Sequence, residues 1–357
     1  MFPLGYARVR RRRPDPPEAR RAAAASALIL ICAAVVVLTS YARRVADGLP
    51  LGLSPFADEI AMRLASSRSG GGEEVSNFDL DIDGDGTDEA VVALRDGGGD
   101  GRMELYRKTS SGSYQLMAAI DSGPVVDVKL AVLDWNNAHI GGAVAAREPV
   151  WRRILVATAD YNQSIGAMSR ALVNTAYVWD GTHLVQVWQA TVTSESVFDT
   201  GDETTRKSML PSVAAKAQGW MRLASVSEHV FSGGSVPQVS VTSTQEVHSY
   251  LESDDKFVPL ASREVKQVYH WSDKWNAFVI GEAKVGGSGA KGLAFPGSPE
   301  GFDIPPGTAV AIMEQERKCA EGLVFNPPYM VRVMLTDGRC CFVEEGHLLA
   351  PVTQSMV

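Results

Sequence analysis

Apolar and polar residues alternate along most of the chain, which is the pattern of β-strands that bury one face. Four stretches repeat one plan, in which two strands with aromatic residues flank a short turn rich in Ser, Asp and Gly. These stretches are residues 104–118, 176–190, 248–261 and 267–281. Short turns such as Asp180-Gly181 favour tight hairpins. The pattern predicts a mainly β protein whose hairpins repeat as in a meander or a propeller.

Residues 199–230 interrupt the series of hairpins. Within them, residues 208–226 read SMLPSVAAKAQGWMRLASV, a candidate helix that Pro211 and Gly219 weaken. The sequence therefore predicts an inserted element or a long loop between the second and third hairpins.

The first 75 residues follow a different pattern. Residues 1–21 contain seven arginines and two acidic residues, and residues 22–41 are uncharged and mostly apolar. A helix of this length spans about 30 Å, the thickness of bilayer hydrocarbon. The sequence predicts a basic cytoplasmic tail (1–21), a single transmembrane helix in the lipid bilayer (22–41), a flexible stalk (42–75) and an extracytoplasmic body. The alternative is a signal segment cleaved after Ala42, which would give a secreted body.

Composition narrows the class of protein further. The chain has 357 residues, of which 45% are apolar and 21% charged, and its formal net charge is −8 at pH 7. This composition is globular, and the acidic balance argues against a nucleic-acid partner. Four cysteines are too few for a disulfide-dense scaffold. In an extracytoplasmic body, however, a bond from Cys319 to Cys340 or Cys341 is plausible.

The most specific motif is the acidic run NFDLDIDGDGTDEAVVAL at residues 77–94. Hard divalent cations bind about six to eight oxygen atoms, which a tight loop with alternating acidic residues can supply. The candidate ligands are four carboxylates and one main-chain carbonyl: Asp81, Asp83, Asp85, Thr87 and Glu89. A helix–loop–helix hand is not expected, because its last ligand position is occupied by Val92 and a β-branched strand follows. A solvated acidic turn without an ion is the alternative.

Joined to strands on both sides, this loop resembles the calcium loops of FG-GAP and VCBS repeats, which form integrin-α-like propeller blades. The resemblance covers residues 75–120. It implies a partial β-propeller-like domain at residues 76–284 and Ca²⁺ as a cofactor held by the five candidate ligands. Glu89 departs from that family, where Asp is commoner. The implied role of the ion is structural, since the loop has no evident base or open position for hydrolysis.

The last part of the chain resembles bacterial Src-homology-3-like domains, which are small β-barrels. The stretch GSPEGFDIPPGTAVAIMEQ resembles the entry to their first long strand, and YMVRVMLTDGRCCFVEEGHLL resembles their closing hairpin. The resemblance covers residues 291–357 and implies a Src-homology-3-like module at 285–357. Phe342 stands in place of the usual Trp, and Cys341 in place of the usual Gly, at the usual ligand groove.

Catalytic signatures are absent from the sequence. None of the six histidines lies in an H-E-x-x-H motif, and there is no G-x-S-x-G nucleophile elbow. The sequence favours a membrane-anchored, exported, calcium-binding and non-catalytic protein that binds a wall or protein ligand at the bacterial cell envelope. Two alternatives stay open: an envelope hydrolase of the glycosidase type with scattered carboxylates, and an assembly or sensory ectodomain without a ligand.

Overall fold

The computed structural model describes residues 74–95, 101–134 and 151–349, except 166, 202, 218, 235, 252–254 and 297. Nearly all regular structure in these residues is β-strand, which confirms the mainly β fold class. The predicted tail, the transmembrane segment and all but the last two residues of the predicted stalk lie outside the described residues. No helix among the described residues has the length and apolar character needed to cross a membrane.

The first sheet is an antiparallel meander of four strands. Its strands are β1 (Glu74–Leu80), β2 (Glu89–Arg95), β3 (Gly101–Lys108) and β4 (Tyr114–Asp121). The central strand β2 reads EAVVALR and is buried on both faces, as its run of apolar residues requires. Leu80 pairs with Glu89, so the acidic run forms the connection of a hairpin between β1 and β2.

The second sheet contains eight antiparallel strands, and each after the first pairs with the strand before it in the chain. They are β5 (Val125–Asp134), β6 (Trp151–Ile165), β7 (Ala167–Trp179), β8 (Leu184–Asp199), β9 (Trp220–Ser232), β10 (Gln238–Leu251), β11 (Lys256–Ser272) and β12 (Ala277–Val279). All four predicted hairpins are present, the first between β3 and β4 and the others in this sheet.

The second sheet is not divided into propeller blades, which contain four strands each. The predicted hairpins at 248–261 and 267–281 share one strand, because β11 runs without interruption through both. A shared strand leaves no edge at which one blade could end and the next begin. Only the first sheet has the strand number and the up-and-down order of a blade.

The segment between β8 and β9 contains two short helices, α1 (Glu203–Ser208) and α2 (Pro211–Ala214). Pro211 begins α2, where the absence of a backbone N–H costs no helical hydrogen bond. The candidate helix at 208–226 is wrong in its second half, which belongs to β9. There, burial follows a period of two, with Met221 and Leu223 buried and the alternate side chains more exposed.

The third sheet has seven antiparallel strands in the order β15-β14-β18-β17-β16-β13-β19. These are β13 (Gly281–Val285), β14 (Ala290–Leu293), β15 (Gly301–Ile304), β16 (Ala309–Gln315), β17 (Met330–Leu335), β18 (Cys340–Glu344) and β19 (Leu348–Leu349). The sheet begins at Gly281, a few residues before the expected start of the carboxyl-terminal module at 285. It encloses its own apolar core, formed by Val285, Val310, Val333 and Val343 among others.

The expected disulfide bond is wrong, since Cys319, Cys340 and Cys341 are free thiols. Cys341 lies in the core of the third sheet, whereas its neighbour Cys340 is exposed on the opposite face of β18. The Cys319 Sγ lies 3.5 Å from Glu314 Oε1, in the connection between β16 and β17. The three thiols therefore lie in three different environments: a core, an exposed strand face and a contact with a carboxylate.

Two polar side chains of the second sheet hold the connection between β16 and β17. The buried Gln245 donates from Nε2 to the Lys318 carbonyl (2.6 Å), and its Oε1 accepts from Arg263 Nε (2.7 Å). Arg263 also donates to the carbonyls of Arg317 and Cys319. These bonds join the second sheet to a segment between two strands of the third.

The first sheet packs against the amino-terminal strands of the second. Their shared core combines Ile82, Met103 and Leu105 with Leu155 and Tyr177. Because Ile82 lies within the acidic run itself, this packing holds the loop between β1 and β2 beside strand β6.

Candidate metal centre

The loop between β1 and β2 folds around Asp81. The two carboxylate oxygens of Asp81 accept hydrogen bonds from the backbone N–H groups of Gly84 (2.8 Å) and Gly86 (3.2 Å). Both glycines have positive φ, 86° and 85°, a region that residues with a Cβ rarely adopt. The alternating glycines of the sequence therefore let the chain turn around the first acidic side chain.

Asp83 and Asp85 repeat a smaller version of this arrangement. Asp83 Oδ1 accepts from the N–H of Asp85 (3.2 Å), and Asp85 Oδ1 accepts from the N–H of Thr87 (2.7 Å). Such bonds to the backbone two residues further on are Asx turns, which fix the orientation of a short acidic side chain. Successive carboxylates are thus held in place by the main chain of the loop.

Glu89 begins β2, and its side chain is fully buried. Its Oε2 accepts from the N–H of Ile82, and its Oε1 accepts from Arg107 Nε, both at 3.0 Å. Burial raises the pKa of Glu89, and the negative charges of Asp85 and Asp81 raise it further. A cation beside Glu89 would therefore favour its ionised form.

Two arginines contact the acidic loop from outside it. Arg107 of β3 forms ion pairs with Glu89 and Asp83. Arg153 of β6, in the second sheet, pairs with the carboxylate of Asp81 and donates to its carbonyl oxygen (2.7 Å). The hydrogen bond from Arg153 holds the pKa of Asp81 below its usual value. The loop is therefore tied to a neighbouring strand in its own sheet and to a strand in the second sheet.

Reasoning from the sequence missed both arginines. Arg107 could have been found from the register of the hairpin, because Tyr106 pairs with Ala90 and the next pair places Arg107 beside Glu89. No local pattern in the sequence places Arg153 beside the loop. It is 72 positions from Asp81 and reaches the loop only because the two sheets pack together.

The structure brings three of the five predicted ligands into one group. Carboxylate oxygens of Asp81, Asp83 and Glu89 all lie within 4.8 Å of one another. Asp85 is in the same loop but outside this group. The backbone N–H of Thr87 donates a hydrogen bond to the Asp85 carboxylate. In the part of the chain that the structure describes, no other group of three His, Cys, Asp or Glu side chains comes this close together.

The donor chemistry fits a hard divalent cation, the class that includes Ca²⁺ and Mg²⁺. Three carboxylates, from Asp81, Asp83 and Glu89, contact two guanidinium groups, and Asp85 adds a further carboxylate in the same loop, so negative charge is in excess. A divalent ion would supply the missing charge, and its ligands would be oxygen atoms already held by backbone hydrogen bonds.

Comparison with known proteins adds no family to this picture. Neither the models of known protein families nor the curated protein sequences match the chain.

Proposed function

We propose that this chain is a calcium-binding, non-catalytic β protein in which the loop from Asp81 to Glu89 fastens the first sheet to the second. The observation that carries the proposal is the group of three carboxylates whose loop is also held by Arg153 from the second sheet. Because the ligands lie in one loop that Arg153 of the second sheet contacts, an ion bound there would stabilise the contact between the sheets.

The residues have separate tasks in this proposal. Asp81, Asp83 and Glu89 would hold the ion, with Asp85 as a further oxygen donor in the same loop. Ca²⁺ would supply positive charge that offsets the repulsion among these carboxylates. Arg107 and Arg153 offset part of that repulsion themselves. The fold is therefore expected to form without the ion and to gain stability when the ion binds.

The location and the partner belong to the same proposal. The basic tail and the apolar segment at 22–41 support a single membrane anchor with the body outside the cytoplasm. The resemblances of residues 75–120 to FG-GAP and VCBS repeats, and of residues 291–357 to Src-homology-3-like domains, support binding of a wall or protein ligand at the cell envelope. The four-stranded first sheet is compatible with a single propeller-like blade.

Calcium titration of the purified full chain tests the proposal. Thermal unfolding is followed with EDTA, with CaCl₂ and with MgCl₂. At roughly 100 times its Kd, a ligand of the folded state adds about 2.7 kcal/mol to the free energy of unfolding. We therefore expect CaCl₂ to raise the melting temperature and EDTA to reverse the effect.

Two substitutions make the titration specific. Asp83→Asn removes a member of the carboxylate group and should abolish the response to CaCl₂. Asp88→Asn makes the same change at an exposed acidic residue of the same loop outside that group, and it should keep the response. The proposal fails if CaCl₂ and EDTA leave the melting temperature of the unaltered chain unchanged. An equal or larger response to MgCl₂ would contradict the assignment to calcium.

A further inference from the structure

A cavity of about 330 Å³ lies between the second and third sheets. Strand β8 contributes Gln189 and Thr191 to its wall, while β16 and β17 contribute Glu314 and Arg332. Its volume is at the small end of the range for ligand sites, which often lie where two structural units meet. The cavity is remote in sequence from the acidic loop and shares none of its residues.

Arg332 brings a positive charge into this cavity and forms no ion pair there with another described residue. Its side chain is half-buried, and Nη1 donates to the neutral Gln189 Oε1 at 2.5 Å. Among the described residues, no carboxylate oxygen lies within 4.0 Å of the Arg332 guanidinium, the limit for an ion pair. A partly desolvated guanidinium favours an anionic partner, and its planar fork fits a carboxylate with two parallel hydrogen bonds.

Glu314 supplies the opposite charge on the facing strand. It is the direct pairing partner of Arg332 in the register of β16 and β17, yet the two side chains form no ion pair. Arg332 extends to Gln189, whereas Glu314 Oε1 is contacted by the Cys319 thiol at 3.5 Å. Burial, followed by the charge of Glu314, raises the pKa of Cys319, so the thiol stays protonated and is a weak donor.

We infer that this cavity binds a small zwitterion of the α-amino acid class. The carboxylate of the ligand pairs with Arg332, and its ammonium group pairs with Glu314. Because the two residues are paired in register and both line the cavity, a ligand that carries both charges can reach both of them. Val173, Ala190 and Phe342 also line the cavity and contact the ligand's side chain. The simpler alternative is that Arg332 only joins the two sheets through Gln189.

Cys340 provides a reporter of occupancy, because it is exposed and lines the same cavity. Its alkylation by iodoacetamide is measured on the full chain by peptide mapping, with and without each probe. The probes are glycine, L-alanine and L-leucine, with acetate and ethylammonium as compounds that carry only one of the two charges. At ten times its Kd, a ligand should slow alkylation of Cys340 roughly tenfold.

The inference predicts that at least one amino acid protects Cys340 and that acetate and ethylammonium do not. If no amino acid protects, or if either single-charge compound protects equally well, the inference is overturned. Glu314→Gln should remove the protection while leaving the bond from Arg332 to Gln189 in place. Arg332→Gln should also remove it. Arg339→Gln, at an exposed arginine of the turn between β17 and β18, should retain it. Protection that survives Glu314→Gln would contradict the assigned role of the carboxylate.

Discussion

Replacing Gln245 by Leu tests whether the second and third sheets are held together by buried polar contacts. The Gln245 amide uses both ends, donating to the Lys318 carbonyl at 2.6 Å and accepting from Arg263 Nε at 2.7 Å. Leu has a similar volume but can do neither. The substitution therefore leaves a carbonyl oxygen and a charged N–H without their partner at a position where the side chain is 3% exposed.

The expected cost follows from these two bonds. A hydrogen bond to a charged group contributes about 1.5–3 kcal/mol and one between neutral groups about 0.5–1.5 kcal/mol. Burial of the leucine side chain returns about 1 kcal/mol. We expect a net loss of about 2–3 kcal/mol in the free energy of unfolding, because the two bonds outweigh the apolar gain.

Urea unfolding followed by tryptophan fluorescence measures this loss. The control is Gln186→Leu, the same substitution at an exposed position of β8, which should change the free energy of unfolding by less than about 0.5 kcal/mol. If Gln245→Leu behaves like this control, the contacts between Gln245, Arg263 and Lys318 do not hold the sheets together, and the reasoning is refuted.

Three further predictions concern the core, a half-buried histidine and the acidic loop. Trp188 is 1% exposed and packs edge-on against Phe231 and Tyr269. Trp188→Ala should therefore lower the free energy of unfolding in urea by about 3–5 kcal/mol. A loss below about 1 kcal/mol would contradict this packing. Burial lowers the pKa of His229 below 6.5. As the pH falls through about 6.5, the unfolded chain therefore takes up a proton at this residue before the folded chain does, and the free energy of unfolding should decrease. In His229→Gln this dependence of the free energy of unfolding on pH should be lost. Arg153→Gln removes a positive charge beside Asp81. Calcium binding measured by calorimetry should therefore become severalfold tighter. Weaker binding would show instead that the arginine organises the site.

The hairpins could be predicted from the sequence because each depends on residues close together in the chain. An aromatic strand, a short polar turn and a second aromatic strand contain the whole pattern, and β7 and β8 pair across the turn at Asp180. The acidic loop was also visible, since the spacing of its carboxylates is a local property. Its backbone hydrogen bonds, such as Asp81 with Gly84, span only a few residues.

The remaining features depend on contacts between distant parts of the chain. Arg153 reaches the loop through the packing of two sheets, and Arg332 reaches Gln189 across 143 positions. No local pattern specifies either contact. The choice between a meander and propeller blades depends on the same kind of contact, because hairpin signals do not say whether neighbouring hairpins share a strand, as they do through β11.

The order in which strands pair has a consequence for how the chain can fold. Every strand of the second sheet after β5 joins the strand made just before it, so this sheet can grow by successive local additions while the polypeptide emerges. The third sheet cannot grow in that way, because Lys284 and Val285 pair with Leu349 and Leu348. Until β19 has been synthesised, one side of β13 exposes unpaired backbone, and the nascent chain carries an open edge that can recruit the wrong partner.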